Sequence, residues 1–309
     1  MVKPSKHHLV SRGYQFNFAT EEHRLAVLDR SSGRLVDAAR AIKSNFVVPD
    51  FNTTSLAGVD DRTWLEAAFA SVERPVLNMI REVGPTNAGP RQRAAVANLF
   101  AVHLVRSRSF RDLHERVVEQ VRLETLPTIA AEPEVITRFH AEYGRPPAAG
   151  EIEAIAQECF DADERSGRWM AESTTRQHDQ IAEMLNRFSM QVVWTDHSLP
   201  GFVLADVPVV HANTQTGQYG FRDGLAIGDA DLIIGPLTRR VATCFSTTRL
   251  PHERLRTRRM VELVNAVLWR AAREEVACHP DDVLSTQQMA RRIDRLPAHL
   301  LHGAGRRAS

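Results

Sequence analysis

Cysteine is scarce in this chain of 309 residues: Cys159, Cys244 and Cys278 form an odd set with no Cys-x-x-Cys spacing. That excludes a disulfide framework and a zinc knuckle and points to reduced, structural thiols. An excess of charge is also missing. Lysine and arginine number 39 against 38 aspartates and glutamates, a formal charge of +1, so no global field draws nucleic acid or an anionic membrane to the chain. A nucleic-acid role would need a local basic patch. No stretch reaches the roughly 18–20 apolar residues of a membrane helix, and residues 1–10 lack the apolar run of a signal peptide. The expectation is a soluble, cytoplasmic protein without a membrane partner.

Several catalytic motifs are missing too. The chain carries no Gly-x-Ser-x-Gly elbow, phosphate-binding P-loop, Gly-x-Gly-x-x-Gly fingerprint or His-Glu-x-x-His helix. Serine hydrolase, P-loop nucleotide hydrolase and dinucleotide oxidoreductase are therefore disfavoured. What remains is ordinary globular material, 43% apolar and 25% charged, long enough to bury a sizeable core.

Residues 13–30 alternate in polarity and read as a β-hairpin with a turn near Thr20–Arg24. Residues 43–54 read as an irregular strand and loop. The period then becomes helical: one helix from Asp60 or Asp61 with a kink at Pro75, and a long one from about Arg91 to Leu123. Three more helices fill a charge-rich stretch, a helical insertion at about 127–188. Strand signals return at Met190–Thr195, Gly201–Val210, Asp231–Leu237 and Val241–Ser246, followed by an amphipathic helix over about 253–277 and a disordered tail at 303–309. The expected class is α+β: a single domain over 1–302, in which a mixed sheet built from the N-terminal hairpin and the C-terminal strands packs against the helical middle region.

Two adjacent histidines, His7 and His8, open the first strand, an unusual use of polar residues if packing were their only purpose. The run His7-His8-Leu9-Val10, followed by Tyr14, Phe16 and Phe18, is matched in order by Leu28-Asp29-Arg30, Asn45-Phe46, a helix carrying Glu73, and His103-Leu104-Val105-Arg106-Ser107. Later come Phe202-Val203-Leu204-Ala205-Asp206-Val207-Pro208-Val209 and Pro236-Leu237-Thr238. Taken together these blocks resemble DUF4238, a bacterial family of unknown function, over about residues 7–275. The chain departs from the family pattern at Ser11 (usually proline), His103 (more often glutamine) and Ala205 (usually serine). The resemblance implies no activity, so the chemistry rests on the residues.

Imidazole titrates near neutral pH, so a histidine of the pair can act as general base or metal ligand. A strand turns only one of two neighbours inward, and we favour His8. The structural alternative is an exposed or hydrogen-bonding histidine pair. Glu66 and Glu73 lie on one side of a helix, where either is an acid–base candidate or part of a solvated face. His103, Arg106, Phe110 and His114 form a helical stripe in which an arginine could hold a phosphate or carboxylate, or simply an ion pair. Asp206 interrupts the apolar run Phe202–Val210, where a charge is costly unless paired or coordinated. Asp196-His197-Ser198 reads as loop chemistry.

These residues lead to an expectation of acid–base or metal-assisted hydrolysis, with a phosphodiester or nucleic acid as the substrate class. The catalytic set would be His8, Glu73, Arg106 and Asp206, with a divalent metal as the candidate cofactor on His8, His103 and Asp206. The competing expectation is a non-catalytic binding protein in which the same polar cluster is structural and the segment 127–188 is the partner surface.

Overall fold

The alternation at the start of the chain is cut by a helical turn. Strand β1 (Lys6–His8) is followed by α1 (Arg12–Gln15), opened by Ser11, whose Oγ accepts the Tyr14 N–H at 3.4 Å. The hairpin expected over 13–30 is therefore displaced: β2 (Arg24–Asp29) pairs with β3 (Leu35–Ala41). Its turn is built by Asp29, whose Oδ1 accepts the Ser32 N–H at 2.7 Å, and by Gly33 at φ +66°. A fourth strand, β4 (Val47–Pro49), lies antiparallel to β1, with His8 opposite Val47. These features belong to a computed structural model that describes residues 6–49, 51, 64–84, 88–166, 168–248 and 257–293.

Helices fill the middle. α2 (Trp64–Arg81) continues through Pro75, and its expected start at Asp60 or Asp61 lies outside the described residues. The single long helix expected to follow is two, α3 (Pro90–Val105) and α4 (Arg108–Gln120). Ser107 makes the break: its hydroxyl donates to the Leu104 carbonyl at 2.8 Å and accepts the Phe110 N–H at 3.1 Å, ending one helix and capping the next. A π-helical turn at Val121–Thr125 leads into α5 (Leu126–Ala130), α6 (Pro133–Tyr143), α7 (Glu151–Ser166) and α8 (Arg168–Arg187). Gly144, at φ +66°, closes α6 in the left-handed conformation. α3 is apolar nearly all round, with Val96, Leu99, Phe100 and Leu104 buried, because it packs between α2 and α8.

The remaining strands are β5 (Ser189–Trp194), β6 (Leu204–Ala205), β7 (Val210–Asn213), β8 (Gln218–Tyr219), β9 (Leu232–Thr238) and β10 (Val241–Ser246). The single strand expected over 201–210 is split in two by Asp206-Val207-Pro208, where proline lacks a ladder donor. α9 (Arg258–Ala271) stops short of the expected 277. Residues Glu275–Cys278 form β11, paired on one side with β2, and α10 (Val283–Ile293) follows. The expected tail at 303–309 lies outside the described residues.

The class is α+β, and the early hairpin does share a sheet with late strands, in the order β3-β2-β11-β6. A second sheet, β5-β10-β9-β7-β8, stands apart from it. Every pairing among the described strands is antiparallel, which corrects the expected mixed sheet. The chain start also clasps the second sheet. The buried Tyr14 hydroxyl donates to the Pro236 carbonyl, Asn17 Nδ2 donates to the Leu237 carbonyl at 3.2 Å, and the Arg239 N–H donates to the Asn17 carbonyl at 2.9 Å. Among the described residues no helix is long and apolar enough to cross a membrane. All three cysteines are free, and burial pushes Cys244 and Cys278 up to about 12, which makes both thiols inert.

Candidate functional site

β1 turns its two histidines to opposite sides, with the parity reversed from expectation. His7 is buried, and its Nδ1 lies 3.4 Å from Glu66 Oε1. His8 is the half-buried one, its Nδ1 3.1 Å from the Asn45 carbonyl oxygen. A carbonyl only accepts, so Nδ1 carries the hydrogen and Nε2 carries the lone pair. Nε2 makes no hydrogen bond among the described residues. Burial lowers the His8 pKa, the Asn45 hydrogen bond opposes that, and the Arg106 and Arg12 charges lower it further. His8 is thus a neutral imidazole at pH 7 with its basic nitrogen available.

Beside it lies a charged network. The seven-residue spacing of Glu66 and Glu73 on α2 does place both carboxylates on one face, and Arg106, capping the end of α3, reaches both. Its Nη2 donates to Glu66 Oε2 and its Nη1 to Glu73 Oε1 at 3.2 Å. The guanidinium also stands 5.1 Å from the Phe69 ring centroid. Burial raises the Glu73 pKa, and Arg106 first and the Ser11 side chain next oppose the rise. Arg106 is only 3% exposed. Its terminal donors serve two carboxylates, so it is placed to hold α2 against α3 rather than to receive an anion from solvent.

His103, one turn before Arg106, packs at 4.7 Å against the Tyr14 ring. Neither of its ring nitrogens has a hydrogen-bond partner among the described residues. Burial, reinforced by Arg106, pulls its pKa down to about 3, so the ring is neutral.

Asp206 directly follows β6. Its Oδ1 accepts the Arg273 N–H at 2.9 Å, and its Oδ2 accepts the N–H groups of Glu274 at 2.8 Å and Glu275 at 3.4 Å. It braces the turn from α9 into β11. Burial raises its pKa, opposed first by those N–H groups. Among the described residues no three histidine, cysteine or acidic side chains gather closely enough to hold a metal. The expected metal set is accordingly not assembled: His8 is held by the Asn45 carbonyl, His103 is sealed against Tyr14, and Asp206 is engaged by main-chain donors. Asp196 shapes its loop, accepting the Ser198 N–H at 2.9 Å.

The structure thus sets His8 and His103 beside the Glu73–Arg106 network, while Asp206, directly after β6, is engaged by the main chain at the start of β11. Sequence reading missed Ser11, Tyr14 and the Asn45 carbonyl. Only Ser11 left a signal, as a hydroxyl standing just before a helical turn.

A family model described as "Protein of unknown function (DUF4238)" matches residues 6–282, and the chain belongs to that family. No curated protein and no solved structure matches it.

Proposed function

We propose that this DUF4238 member is an acid–base hydrolase whose general base is His8, acting on a phosphodiester or a similarly anionic ester. The observation that supports this reading is the state of the His8 ring: neutral, half-buried, with Nδ1–H tied to the Asn45 carbonyl and Nε2 carrying the lone pair. In the proposed step Nε2 takes a proton from water as the water oxygen bonds to phosphorus and the bond from phosphorus to the leaving oxygen breaks; the imidazolium then returns the proton to the leaving alkoxide. The imidazolium so formed is stabilised by Glu66, which is 26% exposed and part of the Arg106 network. Arg106 and Glu73 fix the position of that carboxylate. The cation for the substrate is Arg12, which is exposed, has no ion pair among the described residues and acts electrostatically on His8.

The test is a hydrolysis screen with bis(p-nitrophenyl) phosphate and single-stranded nucleic acid. A positioned general base contributes roughly 100- to 10,000-fold, so His8→Ala is expected to lose at least about 100-fold in kcat while retaining the wild-type melting temperature. Arg12→Ala is expected to raise KM more than it lowers kcat. A screen without turnover, or a His8→Ala variant as active as wild type, overturns the reading.

A second reading draws on the engagement of Arg106 and Asp206 by partners within the chain. Here the cluster is a brace, and the protein acts by binding. Large apolar side chains are exposed along the helices, among them Leu123, Ile129, Ile136 and Tyr143, and these would form the partner surface. An inactive protein whose Leu123→Glu variant loses a stoichiometric partner would favour this reading.

A further inference from the structure

A cleft of about 160 Å³ opens between the β1–β4 ribbon and the start of β11, a volume of about five water molecules. Leu9, Phe46 and Val47 supply apolar side chains to its lining. Two guanidinium groups line it from different elements, Arg40 from β3 and Arg108 from the first turn of α4. Both are ion-paired: Arg40 Nη1 lies 2.7 Å from Glu275 Oε1 and its Nε 3.7 Å from Asp37 Oδ2, and Arg108 Nη1 contacts Glu274 Oε1. The two arginines remain 19% and 24% exposed. A guanidinium has five N–H donors, so each keeps donors to spare. Asp206 also lines the cleft, but its oxygens already serve main-chain N–H groups.

Both signs of charge therefore line the cleft, the guanidinium groups of Arg40 and Arg108 beside the carboxylates of Glu274 and Glu275. A simple anion would leave both glutamates facing it, and a simple cation would face both arginines. A molecule carrying both charges satisfies both sets. A second observation marks the same wall. Phe46 has φ +51°, a backbone conformation that bulky residues rarely adopt, and its carbonyl is held by the Leu9 N–H at 2.8 Å. Strain of this kind persists where the surrounding structure imposes it and clusters at binding sites.

We propose that this cleft binds a small zwitterion with an apolar body, chemically a free aliphatic α-amino acid. Its carboxylate takes the spare donors of Arg40 and Arg108, its ammonium takes Glu274 and Glu275, and its side chain rests on Leu9, Phe46 and Val47. The proposal does not depend on His8 acting as a base.

The experiment is calorimetric titration of the full chain with L-leucine, leucinamide and 4-methylpentanoate. The last two each lack one of the two charges. Saturable binding of L-leucine is expected, with both analogues at least about tenfold weaker, the scale of one lost charge-assisted hydrogen bond. Arg40→Gln and Arg108→Gln are each expected to weaken L-leucine by a similar factor. No saturable binding of L-leucine to the wild-type chain, or equal binding of the three molecules, overturns the proposal. The analogue series uses wild-type protein, so it decides the matter even if a variant fails to fold.

Discussion

Glu73 and Arg106 form an ion pair from which water is almost wholly excluded: Nη1 lies 3.2 Å from Oε1, and the side chains are 5% and 3% exposed. Removing one partner leaves the other buried and uncompensated. Arg106→Met is therefore expected to cost about 3–5 kcal/mol, read by urea unfolding. Burial already raises the Glu73 pKa, and without Arg106 it rises further. A raised folded-state pKa favours the protonated form, so the loss should be smaller near pH 5 and larger near about pH 8. The double variant Arg106→Met with Glu73→Leu should recover part of it.

Asp206→Ala strips an acceptor from three main-chain N–H groups at the start of β11. A loss of about 3 kcal/mol is expected. Asp206→Asn keeps one acceptor oxygen and should lose less. Equal stability of wild type and Asp206→Ala in denaturant titration would remove Asp206 from its bracing role.

His103 makes the fold sensitive to acid. Its pKa falls from 6.5 to about 3 on folding, so the unfolded chain binds the proton more tightly. The stability from its burial is complete above about pH 6.5 and is lost as pH drops through 6.5 toward 3. The deficit near pH 5.5 should be about 1.4 kcal/mol. His103→Gln removes the titrating ring and should flatten that part of the pH–stability curve. An unchanged difference between the two proteins from about pH 7 to 5 would contradict this.

Gly235 on β9 sits where a side chain has no room. A Cβ there would lie 2.9 Å from Phe100 Cζ, 3.0 Å from the Pro208 carbonyl oxygen and 3.1 Å from Val209 Cγ2. Gly235→Ala should destabilise by about 1–3 kcal/mol through overpacking. Thermal unfolding of the purified variant checks it.

What could be read from sequence was periodicity, and what could not was main-chain geometry. Glu66 and Glu73 were legible as a pair because seven residues are nearly two helical turns, and both do meet Arg106. The hairpin's partnership with late strands was legible from its apolar alternation. Its position was not, because Tyr14 and Phe18 are apolar in a helical turn as readily as in a strand. β11 was hidden because Val276 and Ala277 extend the apolar stripe of α9, and four residues are too few to show a period of two. The parity of His7 and His8 depended on how β1 meets β4, a register that a three-residue strand does not encode. The role of Asp206 was legible only as a demand for partners; that they are the N–H groups of residues 273–275 follows from the fold alone.

The antiparallel pairing of β2 with β11 has a consequence for how the chain is made. Val27 stands opposite Ala277, and Leu28 opposite Val276, so one edge of the early hairpin has no mate until residues 275–278, about 250 positions later, leave the ribosome. Loop closure over such a separation is slow, and an unmated strand edge is a template for other chains. The newly made N-terminal half therefore waits with an adhesive border. Chains halted before residue 275 should depend on chaperones to a degree that the finished protein does not.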